Sequence, residues 1–294
     1  MNTANWLKHN TTTLAGKTVA VTGSTGGLGQ ALCHHLAGLG AALLLLDRNS
    51  ERSQALGKAL TEQYGVSVRC LRVDLADMAS VYAVTDELLL TPPDIFIHNA
   101  GAYSIPKELC STGYGNVFQI NFVSPYYIIR TLLPALRAIG GRVVVVGSIA
   151  HNYSKTDPND IDFSTRRAAS KVYGNAKRYL MFSLYRLFAK EDAVRLSVTH
   201  PGISFTGITA HYPKVIFALI KHPMKVTFMK PPRACLSILR GVYDQTRENE
   251  WIGPRIFNVW GLPKKMKLRT VSPVEADAIE KTAQDIYTTL SRKA

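Results

Sequence analysis

The chain has 294 residues, 46% of them apolar and 19% charged. That balance is enough to bury a packed core and excludes a disordered or low-complexity chain. Thirty-five Lys and Arg against 21 Asp and Glu leave a formal charge of +14. The excess sits late: residues 212–270 hold twelve basic residues against Asp244, Glu248 and Glu250. Such a segment attracts a phosphorylated cofactor or an acidic membrane leaflet, and solvated lysines that aid solubility explain it equally well. Lys264-Lys265-Met266-Lys267 matches no nucleic-acid recognition motif, so no specific nucleic-acid partner is expected. Cys33, Cys70, Cys110 and Cys235 lie far apart with no C-x-x-C pair, so neither a disulfide framework nor a metal site is expected. With no signal-like segment and no apolar window of about 18 residues, the expected location is the cytoplasm.

Residues 1–16 read as an N-terminal extension. Strand Thr18–Thr22 then leads to helix Leu28–Leu39, strand Ala42–Leu46 to helix Glu51–Tyr64, and strand Val68–Val73 to helix Met78–Leu90. Strand Asp94–His98, helix Tyr114–Leu136, strand Arg142–Gly147, helix Val172–Lys190 and strand Val194–His200 continue the series. The strand runs are continuously apolar rather than alternating, as a parallel sheet covered on both faces requires. With right-handed crossovers this predicts one α/β domain over residues 1–294, a doubly wound parallel sheet. Beyond Pro201, His211–His222 has a helical apolar face and Pro223 would end it. Residues 204–232 are predicted to form a C-terminal substrate lid, and residues 211–230 to be able to rest on an anionic membrane.

The first strand ends in Thr22-Gly23-Ser24-Thr25-Gly26-Gly27-Leu28-Gly29 and opens a helix. Gly23, Ser24, Thr25, Gly27, Leu28 and Gly29 would present backbone N–H groups at a helix N-terminus, where a pyrophosphate binds. Asp47 closes the second strand, placed to accept hydrogen bonds from an adenosine ribose, which slightly favours NAD. Arg48 follows directly and could pair with a 2′-phosphate, which leaves NADP open. Tyr173 and Lys177 are spaced i, i+4 and leave one face of a helix. A free phenol has a pKa near 10, and an adjacent ammonium is expected to lower it toward that of a useful base. Tyr103 and Lys107 share the spacing, but Pro106 between them opposes a helix.

These elements resemble the short-chain dehydrogenase/reductase family, whose glycine motif has the T-G-x-x-x-G-x-G spacing of Thr22 to Gly29 and whose catalytic motif is Y-x-x-x-K. The resemblance implies a Rossmann fold. It also implies an adenine-contacting strand end at Asp74 and Leu75, and an N-N-A-G-like element at Asn99, Ala100 and Gly101 with His98 in place of the first Asn. Asn121 falls where the family keeps an Asn beneath the active site, Ser148 where it keeps the substrate-orienting Ser, and Pro201, Gly202, Ile203 and Thr206 where it contacts the nicotinamide. The 25-residue gap from Ser148 to Tyr173, the Ser148-Ile149-Ala150-His151 sequence and the Pro201–Thr206 run resemble the retinol dehydrogenase-like branch. That branch implies an NAD(P)-dependent oxidoreductase on bulky apolar alcohols and carbonyls, with Asn121, Ser148, Tyr173 and Lys177 catalytic. Family analogy also implies a homo-oligomer. The alternative is a catalytically idle nucleotide sensor, a class that usually loses the catalytic residues retained here.

Overall fold

The computed structural model describes residues 2–202 and 229–292. Eight strands form one sheet: β1 (Thr18–Thr22), β2 (Ala42–Asp47), β3 (Val68–Arg72), β4 (Ile95–His98), β5 (Arg142–Val146), β6 (Arg195–Thr199), β7 (Glu250–Ile256) and β8 (Trp260–Lys267). Their order is β3-β2-β1-β4-β5-β6-β7-β8. Every neighbouring pair is parallel except β7 with β8, so the expectation of a wholly parallel sheet is corrected at one edge. The six strands read from the sequence are all present, within a residue of their expected ends.

The continuous apolar strands are explained by two buried faces. Ala20, Leu44, Phe96, Val143 and Val145 point into one core, and Val19, Val21, Leu43, Ile97 and Val144 into the other. Helices α4 (Met78–Leu90), α6 (Ser124–Ala138), α7 (Ala169–Leu187) and α10 (Pro273–Ser291) cover the first face. Helices α1 (Thr3–Asn10), α2 (Gly27–Gly38), α3 (Ser50–Tyr64) and α9 (Leu236–Tyr243), the last preceded by the turn α8 (Pro231–Ala234), cover the second. The first sixteen residues are therefore no loose extension. Trp6 is 2% exposed and Leu14 6% in the second core, and the Tyr243 hydroxyl donates to the Thr12 carbonyl at 2.7 Å. Arg142, which starts β5, sends its guanidinium to the carbonyls of Gly241, Tyr243 and Asp244, capping the C-terminal end of α9 where a cation is favoured.

The single helix expected over Tyr114–Leu136 is broken. A short turn α5 (Asn116–Phe118) is followed by one π-helical turn over Gln119–Val123 before α6 begins. Pro125 supplies the reason: it has no N–H to give and its ring would crowd the carbonyl four residues back, so the chain widens there. The Ser124 N–H accordingly reaches back five residues to the Gln119 carbonyl. The helix His211–His222, most of the lid at 204–232 and most of the membrane segment at 211–230 lie outside the described residues.

Candidate active site

Because β1 to β7 run parallel, their C-terminal ends share one edge of the sheet. The chain leaves β1 toward β2 and β3 on one side and takes up β4 and β5 on the other, so a crevice opens between β1 and β4, where open α/β sheets bind ligands. The turn after β1 enters α2 with Gly26 at the cap and no side chain bonded to the first N–H groups. Gly23 has a φ of +66°, and a Cβ at Gly29 would lie 2.1 Å from the Gly23 carbonyl oxygen. Backbone therefore packs on backbone, and the turn offers a tight cradle of N–H donors that fits a pyrophosphate.

Asp47 is 6% exposed and faces this cradle rather than the solvent. Its carboxylate accepts from the Ser24 hydroxyl, from the Thr25 N–H at 3.2 Å and from the Thr25 hydroxyl at 2.9 Å. The carboxylate expected for a ribose is thus already engaged by the turn. Arg48 is exposed beside it, and exposed Arg72 is its in-register neighbour on β3. At the end of β3, the Asp74 N–H donates to the Ser80 hydroxyl at 2.9 Å and the Leu75 carbonyl accepts from the Ser124 hydroxyl at 2.6 Å.

After β4, the Asn99 side chain donates to the Thr22 and Gly23 carbonyls, both at 3.1 Å, and the N–H groups of Asn99 and Ala100 donate to the Thr22 hydroxyl. Both lone pairs of that hydroxyl are then used, so its proton goes to His98 Nδ1 at 3.0 Å and places the His98 proton on Nε2. Burial holds His98 well below its ordinary pKa, with the charge of Lys177 adding to the effect, so the ring is neutral. Asn121 sits on the π turn. Its amide donates to the Val117 and Ala102 carbonyls at 2.8 Å, and its oxygen accepts from the Ala102 N–H at 3.3 Å. A Cβ at Gly101 would stand 2.9 Å from that oxygen and 3.7 Å from Lys177 Nζ, which places the three residues together.

Ser148 ends the stretch after β5, and its hydroxyl accepts from the Ala150 N–H at 3.2 Å as it starts the 3₁₀ turn Ile149–Tyr153. Helix α7 crosses this turn closely: a Cβ at Gly174 would lie 2.2 Å from the Ala150 carbonyl oxygen. That contact brings Tyr173 to Ser148, to which its phenol is hydrogen-bonded. One turn on, Lys177 is 1% exposed, donates to the Val146 carbonyl at 2.9 Å, and holds its ammonium 5.7 Å from the Tyr173 ring centre. Burial lowers Lys177 to about 7. Burial also raises the Tyr173 phenol to about 12, against the lowering hydrogen bond from Ser148. The lowering of the phenol expected from Lys177 is therefore not seen: burial dominates both groups.

The sequence reading missed several neighbours. Tyr103 stands edge-on to Tyr173 at 5.4 Å, although the Tyr103–Lys107 pair has no catalytic geometry: Lys107 donates to the carbonyls of Ser164 and Arg166. Val117, Phe163 and Val172 form a small apolar cluster against Tyr173. Arg178, next to Lys177, pairs with Glu275 of α10 through two 2.7 Å hydrogen bonds and donates to the His151 carbonyl at 2.9 Å. His151 in turn lies against the Ser148 carbonyl at 2.6 Å and edge-on to Trp251, which stacks on His200 at 4.9 Å. A long-range ion pair and a ring stack leave no local spacing signal in a sequence. Pro201 and Gly202 follow β6 on the same edge, while Ile203 and Thr206 lie outside the described residues.

Residues 17–214 match the family model for short chain dehydrogenase. An uncharacterized oxidoreductase of Schizosaccharomyces pombe is 30% identical over 258 residues, covering 81% of this chain and 76% of the relative. Human dehydrogenase/reductase SDR family member 13 is 31% identical over 75% of this chain, and human polyprenol dehydrogenase 29% identical over 65%. This chain spans only 60% and 62% of the length of those two human proteins. Among solved structures, a protein of Mycobacterium paratuberculosis superposes with a TM-score of 0.74 at 22% identity, covering 95% of this chain and 96% of that one. A short-chain dehydrogenase of Sphingobium yanoikuyae in complex with NADPH superposes with a TM-score of 0.60 at 22% identity, covering 76% of this chain and 84% of that one. With its glycine cradle, Ser148 and the Tyr173–Lys177 pair on one sheet edge, and with two thirds of its length matching the family model, the chain belongs to the short-chain dehydrogenase family.

Proposed function

We propose that the protein interconverts an alcohol and a carbonyl on a bulky apolar substrate with NADP(H). The observation that carries this reading is the convergence of Ser148, Tyr173, Lys177 and Asn121 beside the glycine cradle, on the sheet edge where the crevice opens. Gly23 to Gly29 would hold the pyrophosphate, Asp74 and Leu75 the adenine end, Asn99 to Gly101 and Lys177 the nicotinamide ribose, and Pro201, Gly202, Ile203 and Thr206 the nicotinamide. The preference for NADP over NAD departs from what the position of Asp47 at the end of β2 favours. That carboxylate is spent on Ser24 and Thr25, whereas Arg48 and Arg72 are exposed at the place a 2′-phosphate would reach.

The bound nicotinamide supplies or accepts the hydride. Ser148 orients the substrate oxygen, and Tyr173 gives that oxygen its proton in reduction or removes it in oxidation. Lys177 sets when Tyr173 can act. An anion bound in the cradle favours the charged ammonium, and a charged ammonium near the phenol favours the phenolate. Asn121 fixes Ala102 and so the wall behind Lys177. The apolar surroundings of Tyr173, namely Tyr103, Val117 and Phe163, suit an apolar substrate and exclude water from the transfer.

The test is titration of NADPH and NADH, followed by nicotinamide fluorescence, with turnover measured on a panel of apolar carbonyls. NADPH should bind more tightly. Tyr173→Phe should keep nucleotide binding and lose at least about 100-fold in turnover, the low end of what a positioned proton donor contributes. Failure of either nucleotide to bind would sink the reading, and binding with no turnover on any substrate would favour the idle sensor.

A further inference from the structure

The β7–β8 hairpin closes through residues 256–260, and Phe257 and Asn258 both take left-handed backbone there, with φ of +49° and +58°. Asparagine tolerates that conformation, whereas a bulky aromatic rarely adopts it. Phe257 is nonetheless 91% exposed, with Ile256 at 38% and Trp260 at 39% beside it. Three large apolar side chains on one turn form a patch that adds little to the packed core.

The charge around the patch has one sign. From Trp251 to Val274 the sequence contains no acidic residue and five basic ones, Arg255, Lys264, Lys265, Lys267 and Arg269, all exposed. The Arg233 guanidinium stacks 4.6 Å from the Trp260 ring centre and adds a cation at the tip itself. Lysines on β8 alone would be accounted for by protection of an edge strand against pairing. That account leaves exposed Phe257 and Trp260 unexplained. An aromatic tip backed by cations is the chemistry of an interfacial anchor, with rings settling at headgroup level and cations drawn to anionic lipid.

The tip also lies on the edge of the sheet that carries the candidate site. A Cβ at Gly202 would lie 2.5 Å from the Val259 carbonyl oxygen, and His200 Nε2 donates to the Asn258 carbonyl at 3.0 Å. His200 to Gly202 follow β6 on the edge that carries Ser148 and Tyr173. A leaflet that holds the tip therefore faces that edge.

We infer that the turn at residues 256–260 is a peripheral anchor that seats on an anionic lipid leaflet. Its use in passing apolar substrate from the leaflet to Tyr173 rests on the reading under Proposed function. The anchoring itself does not.

The protein carries its own reporter. Of its three tryptophans, Trp6 and Trp251 are each 2% exposed, so Trp260 is the one that lipid can reach. The full chain is mixed with vesicles of equal parts phosphatidylserine and phosphatidylcholine, and with vesicles of phosphatidylcholine alone. Co-sedimentation with the first, a blue shift of tryptophan emission and quenching by brominated acyl chains are expected, all weakened by added salt. Phe257→Asn suits the left-handed backbone and should lower partitioning about tenfold, the loss of one ring from the interface. Lys264→Glu combined with Lys267→Glu should abolish the preference for anionic vesicles. Both variants should bind nucleotide in solution as the parent does, which keeps failure of the anchor distinct from failure of the oxidoreductase reading. Absence of co-sedimentation, or a Phe257→Asn protein that partitions like the parent, would overturn the inference. Self-association without lipid that Phe257→Asn abolishes would overturn it too and assign the tip to a second copy.

Discussion

Replacing Glu275 by Ala tests whether the active-site loop is held from the C-terminal helix. In the parent, Glu275 accepts two 2.7 Å hydrogen bonds from Arg178 and two more, at 3.0 and 3.1 Å, from the Thr156 N–H and hydroxyl. The paired side chains are 9% and 13% exposed. Removing the carboxylate leaves the guanidinium buried with the His151 carbonyl as its described partner, and breaking a buried pair in this way costs about 3–5 kcal/mol. That is a large part of an ordinary total of about 5–15 kcal/mol. At roughly 2–4 °C per kcal/mol, Tm should fall by roughly 6–20 °C. Urea unfolding followed by circular dichroism measures the loss, and a cycle with Arg178→Met isolates the pair from the separate losses. The pH dependence has a definite sign. Burial pushes the Glu275 carboxyl up, but the hydrogen bonds from Arg178 and Thr156 more than offset this, so it titrates below its usual range. Its contribution is complete above the unfolded-state value of about 4.3 and is lost as pH falls through the lower folded value. The gap between parent and variant should therefore close below about pH 4. A loss under about 1 kcal/mol at neutral pH, or a gap that does not change in acid, would refute the reasoning.

Lys177 is lowered to about 7 by burial, so between there and its unfolded value of about 10.4 the unfolded chain holds a proton that the folded chain has released. Stability should rise with pH across that window, and urea midpoints of Lys177→Met should not. Gly29→Ala forces a methyl to 2.1 Å from the Gly23 carbonyl; the cradle must open, and calorimetric titration should find NADPH binding weakened by at least about tenfold. Arg48→Ala should weaken NADPH by about tenfold while leaving NADH within about twofold, reading out the 2′-phosphate contact directly.

The parallel strands were legible because burial on both faces makes each one an unbroken apolar run, as in Val143–Val146 and Leu43–Leu46. Tyr173 and Lys177 were legible because a helix turns spacing into proximity. The edge hairpin was not, since β7 includes Gly253 and Pro254 and β8 carries Pro263 and three lysines, residues that read as loop until an antiparallel partner is seen. Helix α1 escaped notice because eight residues with one buried anchor, Trp6, show no period. The engagement of Asp47 by Ser24 and Thr25 depends on which way one carboxylate turns, and the Arg178–Glu275 pair spans 97 residues. Neither is written in local pattern.

The contact of Gly174 with the Ala150 carbonyl has a consequence for how such a chain diversifies. Backbone touching backbone fixes the distance between the strand carrying Ser148 and the helix carrying Tyr173, whatever lies between them in the chain. The intervening segment does not set that distance, and it reaches the reacting groups through Phe163, which packs against Tyr173. It can lengthen, shorten or change composition while the Ser148 to Tyr173 approach is kept. One hydrogen atom in place of a methyl group is what lets the two backbones close on each other.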